Sequence, residues 1–419
     1  MSPAETADPI VRAQEGARAF GEELAREGFT ARGPLQTGLA PGRVNLLGEH
    51  ADYSEGYVMP AAINRHVAAA FSPGSAPGRS AALLHFQSLD FTDSFALDLA
   101  RLADLRADPG LFARVTGGPG TRWRRYAAGI VLELDAIGDP PPPGLVTIAG
   151  NVPLGAGLSS SAALEAALYT ALATDPAPVP EAALLCQRAE NRWAGVPCGI
   201  MDQFASFMGQ AGRLLFLDCR TLEYRRLELP AGSTLTVIES GVRRELADGA
   251  YRERRHQIET AVELLRRFIG PVTTLRDVPP EDFPEFEDLL PEPLRSRVEH
   301  VLGAIARVRE GVRALTLGQG RAFGELMTAC HHSLAGLYEV STPELDLITE
   351  SALQVAGVLG ARLTGAGFGG CCVVLHEQEA RDELVAAVRS AWGERFGSEP
   401  VFHHLSAADG ARRLEGEPA

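Results

Sequence analysis

Residues 150–165 read GNVPLGAGLSSSAALE. The apolar run Leu145 to Ala149 just before them reads as a strand. Beyond the loop, Ala162, Leu164, Ala167, Leu168, Ala171 and Leu172 recur at helical spacing. A strand, a Gly-rich loop and a helix N-terminus in that order make an anion site. The glycines let the backbone come close, unpaired N–H groups face the ligand, and the helix dipole favours negative charge. Gly155, Ala156, Gly157, Leu158, Ser159, Ser160 and Ser161 form this candidate phosphate cradle. On spacing alone, a Gly/Ser turn that simply caps a helix remains open. A P-loop is excluded, because it needs GK[ST] and all 39 basic residues here are arginine. A GxGxxG dinucleotide loop fits poorly: three serines crowd the helix start and no early acidic ribose ligand stands out.

The composition bounds the rest. A chain of 419 residues suggests two domains with two cores. No apolar run reaches membrane-spanning length. The opening MSPAETADPIVRAQEG lacks the basic-then-apolar pattern of a signal peptide, so a cytoplasmic protein is expected. A net charge of -15 argues against nucleic acid and anionic membranes as partners. An anionic ligand would therefore need local devices: helix dipoles, single arginines and a divalent cation. The six cysteines include no CxxC pair and read as reduced, mostly buried thiols. His331-His332 and His403-His404 lack zinc-ligand spacing.

Along the chain, residues 9–28 read as an amphipathic helix, 81–100 as strands, 122–136 as a helix, and 160–173 and 181–194 as two more. Strands are expected at 213–218 and 234–239. The second half reads as helices over 251–268, 296–315, 320–338 and 344–359. A Gly-rich turn (363–370), a strand (371–375), a helix (378–395) and a short strand (400–404) follow. This order suggests an α+β class. The domain boundary is placed near residue 212, giving 1–212 and 213–419, and the tail 408–419 is expected to fray.

A polar cluster lies in PGRVNLLGEHADYSEGYVMP, residues 41–60. Arg43, Asn45, Glu49, His50, Asp52 and Tyr53 offer a cation, two carboxylates, an imidazole and a phenol. Such a set suits a polyhydroxylated ligand, whose hydroxyls each want a donor and an acceptor. Read by itself, the cluster is equally compatible with a solvated loop.

GRVNLLGEHADY resembles the signature of the galactokinase family. GAGLSSSAALE resembles the ATP loop shared by the GHMP small-molecule kinases, and LTGAGFGG, 363–370, their third motif. CGIMDQFAS, 198–206, is similar to the galactokinase segment that carries the catalytic aspartate. The four lie in family order over residues 41–370. The resemblance implies two α+β domains with the active site between them. The first would hold a left-handed βαβ unit, and the second would be ferredoxin-like.

It also implies roles. Asp202 and Arg43 would be the catalytic pair. Glu49, His50, Asp52, Gly199 and Tyr251 would bind the sugar. The cradle from Gly155 to Ser161 would hold ATP, and Ser161 with Glu190 would bind Mg²⁺. Gly365, Gly367 and Gly369 would shape the wall beside the cradle. The implied activity moves the ATP γ-phosphoryl group to the anomeric hydroxyl of D-galactose, the entry step of galactose metabolism, in a protein expected to be a monomer. Ala51 and Ala366 depart from the family pattern. The alternatives are a kinase for another sugar of the same superfamily, or a galactose and ATP sensor without turnover. Taken singly, Asp202 also reads as a helix-capping aspartate and Glu190 as a surface glutamate. A sugar hydroxyl is a far weaker acid than a carboxylic acid, so its proton is expected to leave late, as the P–O bond forms.

Overall fold

The computed structural model describes residues 7–118, 121–242, 247–397 and 399–415. In chain order its strands are β1 (Thr30–Ala31), β2 (Gln36–Leu47), β3 (Tyr57–Ser75), β4 (Leu83–Ser88), β5 (Asp93–Asp98), β6 (Gly144–Gly150), β7 (Arg213–Asp218), β8 (Tyr224–Glu228), β9 (Ser233–Glu239), β10 (Val358–Thr364), β11 (Cys371–Glu377), β12 (Val401–Leu405) and β13 (Arg412–Glu415). The helices are α1 (Pro9–Ala25), α2 (Leu102–Ala107), α3 (Pro109–Thr116), α4 (Arg122–Ala136), α5 (Ser160–Leu172), α6 (Val179–Ala189), α7 (Met201–Met208), α8 (Ala247–Ile269), α9 (Leu294–Thr316), α10 (Gly320–Gly336), α11 (Pro343–Leu353) and α12 (Arg381–Phe396).

Two sheets organise the molecule. The nine-stranded sheet runs β13-β2-β3-β6-β4-β5, with β1, β7 and β8 joined through β3. Its pairings are antiparallel except for β4 with β6, which is the parallel pair a βαβ unit requires. The four-stranded sheet has the order β10-β11-β9-β12 and is antiparallel throughout. Strand β9, the intervening helices, β10, β11, α12 and β12 follow the β-α-β-β-α-β order of a ferredoxin-like unit, as expected.

Helix α5 is buried nearly all round, with Ala162, Ala163, Ala166, Ala167, Leu168, Ala171 and Leu172 in the core. It packs on β2 and β3. Small alanines let it lie close, and Gly38 of β2 is part of the fit: a Cβ there would stand 2.1 Å from the Ala167 carbonyl oxygen. Burial of Leu168 and Leu172 contributes about 2 kcal/mol each. The core thus fixes the helix whose N-terminus ends the candidate cradle.

Two expectations, the extent of one helix and the fraying of the tail, are corrected. The helix expected over 344–359 ends at Leu353, and Val358 already begins β10. Gly357, at φ 85°, makes the reversal between them, a conformation no helix continues through. The tail does not fray up to residue 415, because β13 pairs with β2 in the register Arg412↔Leu39; residues 416–419 lie outside the described ones. Strands β7 and β8 follow residue 212 yet belong to the first sheet, so the changeover between sheets falls between Glu228 and Ser233.

Candidate active site

The loop after β6 turns through Gly155 and Gly157, at φ 76° and 82°. Such values suit glycine and let successive amides face one side. Ser159 is the N-cap of α5 and is itself left-handed, at φ 55°. Its hydroxyl caps nothing; it donates to Oδ2 of Asp202. The first-turn amides of α5 are thereby left without a side-chain cap, which is the state an anion site needs.

Arg43 comes from β2 and Asp202 from the first turn of α7. Arg43 Nε donates to Asp202 Oδ1 and Nη2 to Oδ2, both at 2.7 Å. Its Nη1 donates to the Gly157 carbonyl oxygen, also at 2.7 Å. One guanidinium thus ties the carboxylate to the cradle loop. Burial opposes the charge of Arg43, but Asp202, Glu49 and Asp52 outweigh it and hold its pKa above the usual value. The cap alternative for Asp202 does not hold: Ile200 is the N-cap of α7, and no side chain caps that helix.

Arg43 and Asn45 of the polar cluster lie on β2, while Glu49, His50, Asp52 and Tyr53 sit in the tight loop between β2 and β3. His50 takes φ 61°, and its Nδ1 lies 3.1 Å from Tyr53 Oη, which lies 2.5 Å from Tyr338 Oη. The His50 ring also packs against Tyr251 and Tyr338, with centroids 5.8 and 4.7 Å away. Burial, then the neighbouring Asp202, pushes the Asp52 carboxyl up to about 7. Gly199 lies against Asp52 rather than among the residues that line the cleft.

Glu190 is buried, with 4% exposure, so it is not the surface glutamate that its helix alone suggested. After α6 the backbone widens into a π-type turn over Glu190–Ala194. Such turns re-aim side chains at functional positions. Gln203 Nε2 donates to Glu190 Oε2 at 2.6 Å, Tyr126 Oη to Oε1 at 3.3 Å, and Cys198 Sγ to Oε2 at 3.3 Å. Ser161 also hydrogen-bonds Glu190. Burial, then Asp202, raises the Glu190 carboxyl to about 7. A buried acid beside a hydroxyl is a hard-oxygen pair of the kind that suits Mg²⁺.

One cleft of about 1130 Å³ gathers these groups. It is lined by Arg43, Glu49, His50, Asp52, Gly155 to Ser161, Glu190, Asp202 and Tyr251. From the third motif, Gly365, Ala366 and Gly370 line it, whereas Gly367 and Gly369 pack against Val340 and Val242. Ala366, the departure from the family pattern, does not take a positive φ and needs no glycine. The sequence reading missed Tyr338, His300 and Arg362, which reach the loop between β2 and β3 from the second half of the chain. It also missed Gln203, though that residue lies inside the quoted segment 198–206. No helix among the described residues is long and apolar enough to cross a membrane.

The galactokinase galactose-binding signature matches residues 26–73. The N-terminal and C-terminal domain models of the GHMP kinases match 125–210 and 310–394. The chain is 40% identical to the galactokinase of Homo sapiens over 406 residues, 96% of each chain. It is 38% identical to that of Roseiflexus sp. (strain RS-1) over 380 residues, 90% of this chain and 92% of the relative. It superposes on Lactococcus lactis galactokinase complexed with galactose with a TM-score of 0.83 at 30% identity, covering 95% of this chain and 99% of that one. Methanococcus jannaschii mevalonate kinase shares the fold, with a TM-score of 0.62 at 18% identity over 91% of this chain and 99% of that one.

Proposed function

The chain belongs to the galactokinase family, ATP-dependent sugar kinases of the GHMP fold, and from that membership we propose how its own residues move the ATP γ-phosphoryl group to the anomeric hydroxyl of D-galactose. The observation that carries the reading is the Arg43–Asp202 pair, tied to Gly157 and lining the same cleft as the sugar loop.

Phosphoryl transfer is mostly positioning and charge stabilisation. The bend from Gly155 to Ser161 holds the phosphates with backbone amides and the N-terminus of α5, in place of a lysine. Glu49, His50, Asp52 and Tyr251 hold the sugar, and their paired donors and acceptors penalise an epimer whose hydroxyls leave them unmatched. The anomeric oxygen attacks the γ-phosphorus, the bond to the bridging oxygen of ADP breaks, and ADP leaves. Asp202 takes the hydroxyl proton late in that step. A carboxylate has room for about four hydrogen bonds, so the three that Asp202 already accepts leave a place for it. Arg43 steadies the carboxylate and the charge on the transferring group.

Ser161 and Glu190 would hold Mg²⁺, which supplies charge neutralisation for the β and γ oxygens when bound with the nucleotide. Cytoplasmic placement fits a kinase that draws on ATP. The test is a product assay: ATP and Mg²⁺ with a panel of free hexoses. Galactose 1-phosphate, with little product from glucose, is the expected result. Product from another sugar instead, or no product at all, would contradict the reading.

A further inference from the structure

Arg362 is the largest fully buried side chain of the molecule among the described residues, at 0% exposure. It lies on β10 of the second sheet, 313 residues from its partner. Its Nη2 donates to Oε2 of Glu49 at 2.5 Å, and its Nε to the Leu363 carbonyl oxygen at 2.7 Å. Asn45 Nδ2 donates to the same Glu49 oxygen at 3.1 Å. Two residues further along β10, Thr364 Oγ1 accepts from the Asn45 amide at 3.0 Å. His300 holds the loop from another side, its Nε2 3.3 Å from the Glu49 carbonyl oxygen.

These contacts divide the Glu49 carboxylate. Oε2 is taken by two donors, while Oε1 accepts no hydrogen bond from the described residues. Glu49 lines the cleft and Arg362 does not. An acceptor that must tell hydroxyl orientations apart has to be held still, and a buried carboxylate must have its charge compensated. One side chain meets both needs.

We propose that Arg362 is a positioning residue for sugar recognition. It acts through Glu49, locking Oε2 so that Oε1 is offered to a sugar hydroxyl. The strand that ends in the third Gly-rich motif thereby sets the sugar loop of the other sheet. The proposal rests on the reading of Glu49 as a sugar ligand.

The experiment is a double-mutant cycle on galactose affinity by titration calorimetry, with ATP affinity as the control. Arg362→Met is expected to weaken galactose binding by about tenfold or more and to leave ATP binding within about twofold. KM for galactose should rise more than kcat falls. In a Glu49→Gln background, adding Arg362→Met should change galactose affinity by less than about twofold, because the lever it acts through is gone. Unchanged galactose affinity in Arg362→Met, or the same loss in both backgrounds, would overturn the proposal. Should Arg362→Met not accumulate as folded protein, Arg362→Lys, which keeps the charge without the planar fork, goes through the same cycle under the same criteria. A wild-type protein that binds no galactose would overturn the reading of the site itself. A wild type and a Glu49→Gln variant that bind galactose equally would overturn Glu49 as a sugar ligand.

Discussion

A Cβ placed on Gly199 would stand 2.0 Å from Oδ2 of Asp52 and 2.3 Å from its Cγ. The Asp52 carboxylate lies directly on a backbone that carries no side chain. Gly199→Ala must push Asp52 out of place. Galactose KM is expected to rise by about tenfold or more, with ATP affinity near normal. Steady-state kinetics in both substrates checks this.

Arg43→Lys tests the fork. A lysine offers a point charge and cannot donate at once to both oxygens of Asp202 and to the Gly157 carbonyl. The expected loss in kcat is about a hundredfold, the scale of removing one preorganised donor. Far-UV circular dichroism should show the fold retained.

Asp52 gives a pH dependence. Its carboxyl titrates at about 7 in the folded state against an ordinary 3.8, through burial and then Asp202, with Glu49 adding and Arg43 opposing. Tyr251 and Cys219 also face it. The folded state therefore holds this proton more tightly than the unfolded chain. Its stabilising effect is full below about pH 3.8 and is lost as pH rises through 7. Asp52→Asn is expected to raise the melting temperature of the sugar-free protein relative to wild type more at pH 8 than at pH 5. For recognition the direction is opposite. The ionised carboxylate is the better acceptor, so galactose affinity should fall as pH drops below 7, and Asp52→Asn should flatten that fall. Calorimetry across pH 5–9 reads both.

Glu190→Gln tests the metal assignment. It keeps the volume and removes the charge. The Mg²⁺ concentration for half-maximal rate is expected to rise by about tenfold or more. Mn²⁺ binding followed by electron paramagnetic resonance in the presence of ATP should weaken in parallel. An unchanged Mn²⁺ affinity would remove Glu190 from the ligand set.

The sequence was most legible where local signals agreed. The helix expected over 160–173 appears as Ser160–Leu172, and that over 122–136 as Arg122–Ala136. It failed where pairing is long-range. Nothing in ARRLE at the tail marks it as a strand; it becomes one because β2 offers it an edge. The helix expected over 344–359 ran too far, since the apolar residues of β10 continue its pattern although the helix stops at Leu353 and Gly357 turns the chain into the strand. At the site, the contiguous clusters 41–60 and 150–165 stood out because each holds its chemistry in one stretch. Arg362 and Tyr338 were not legible: a single arginine in a strand and a single tyrosine after a helix carry no local sign of a partner hundreds of residues away.

Asp202→Asn measures the central claim most directly. Asparagine keeps the shape beside Arg43 and Ser159 but is no longer a carboxylate that can take the hydroxyl proton. ATP binding by calorimetry should match wild type within about threefold, while galactose 1-phosphate formation falls by about a thousandfold or more. Turnover near the wild-type rate in a folded, ATP-binding Asp202→Asn protein would contradict the account.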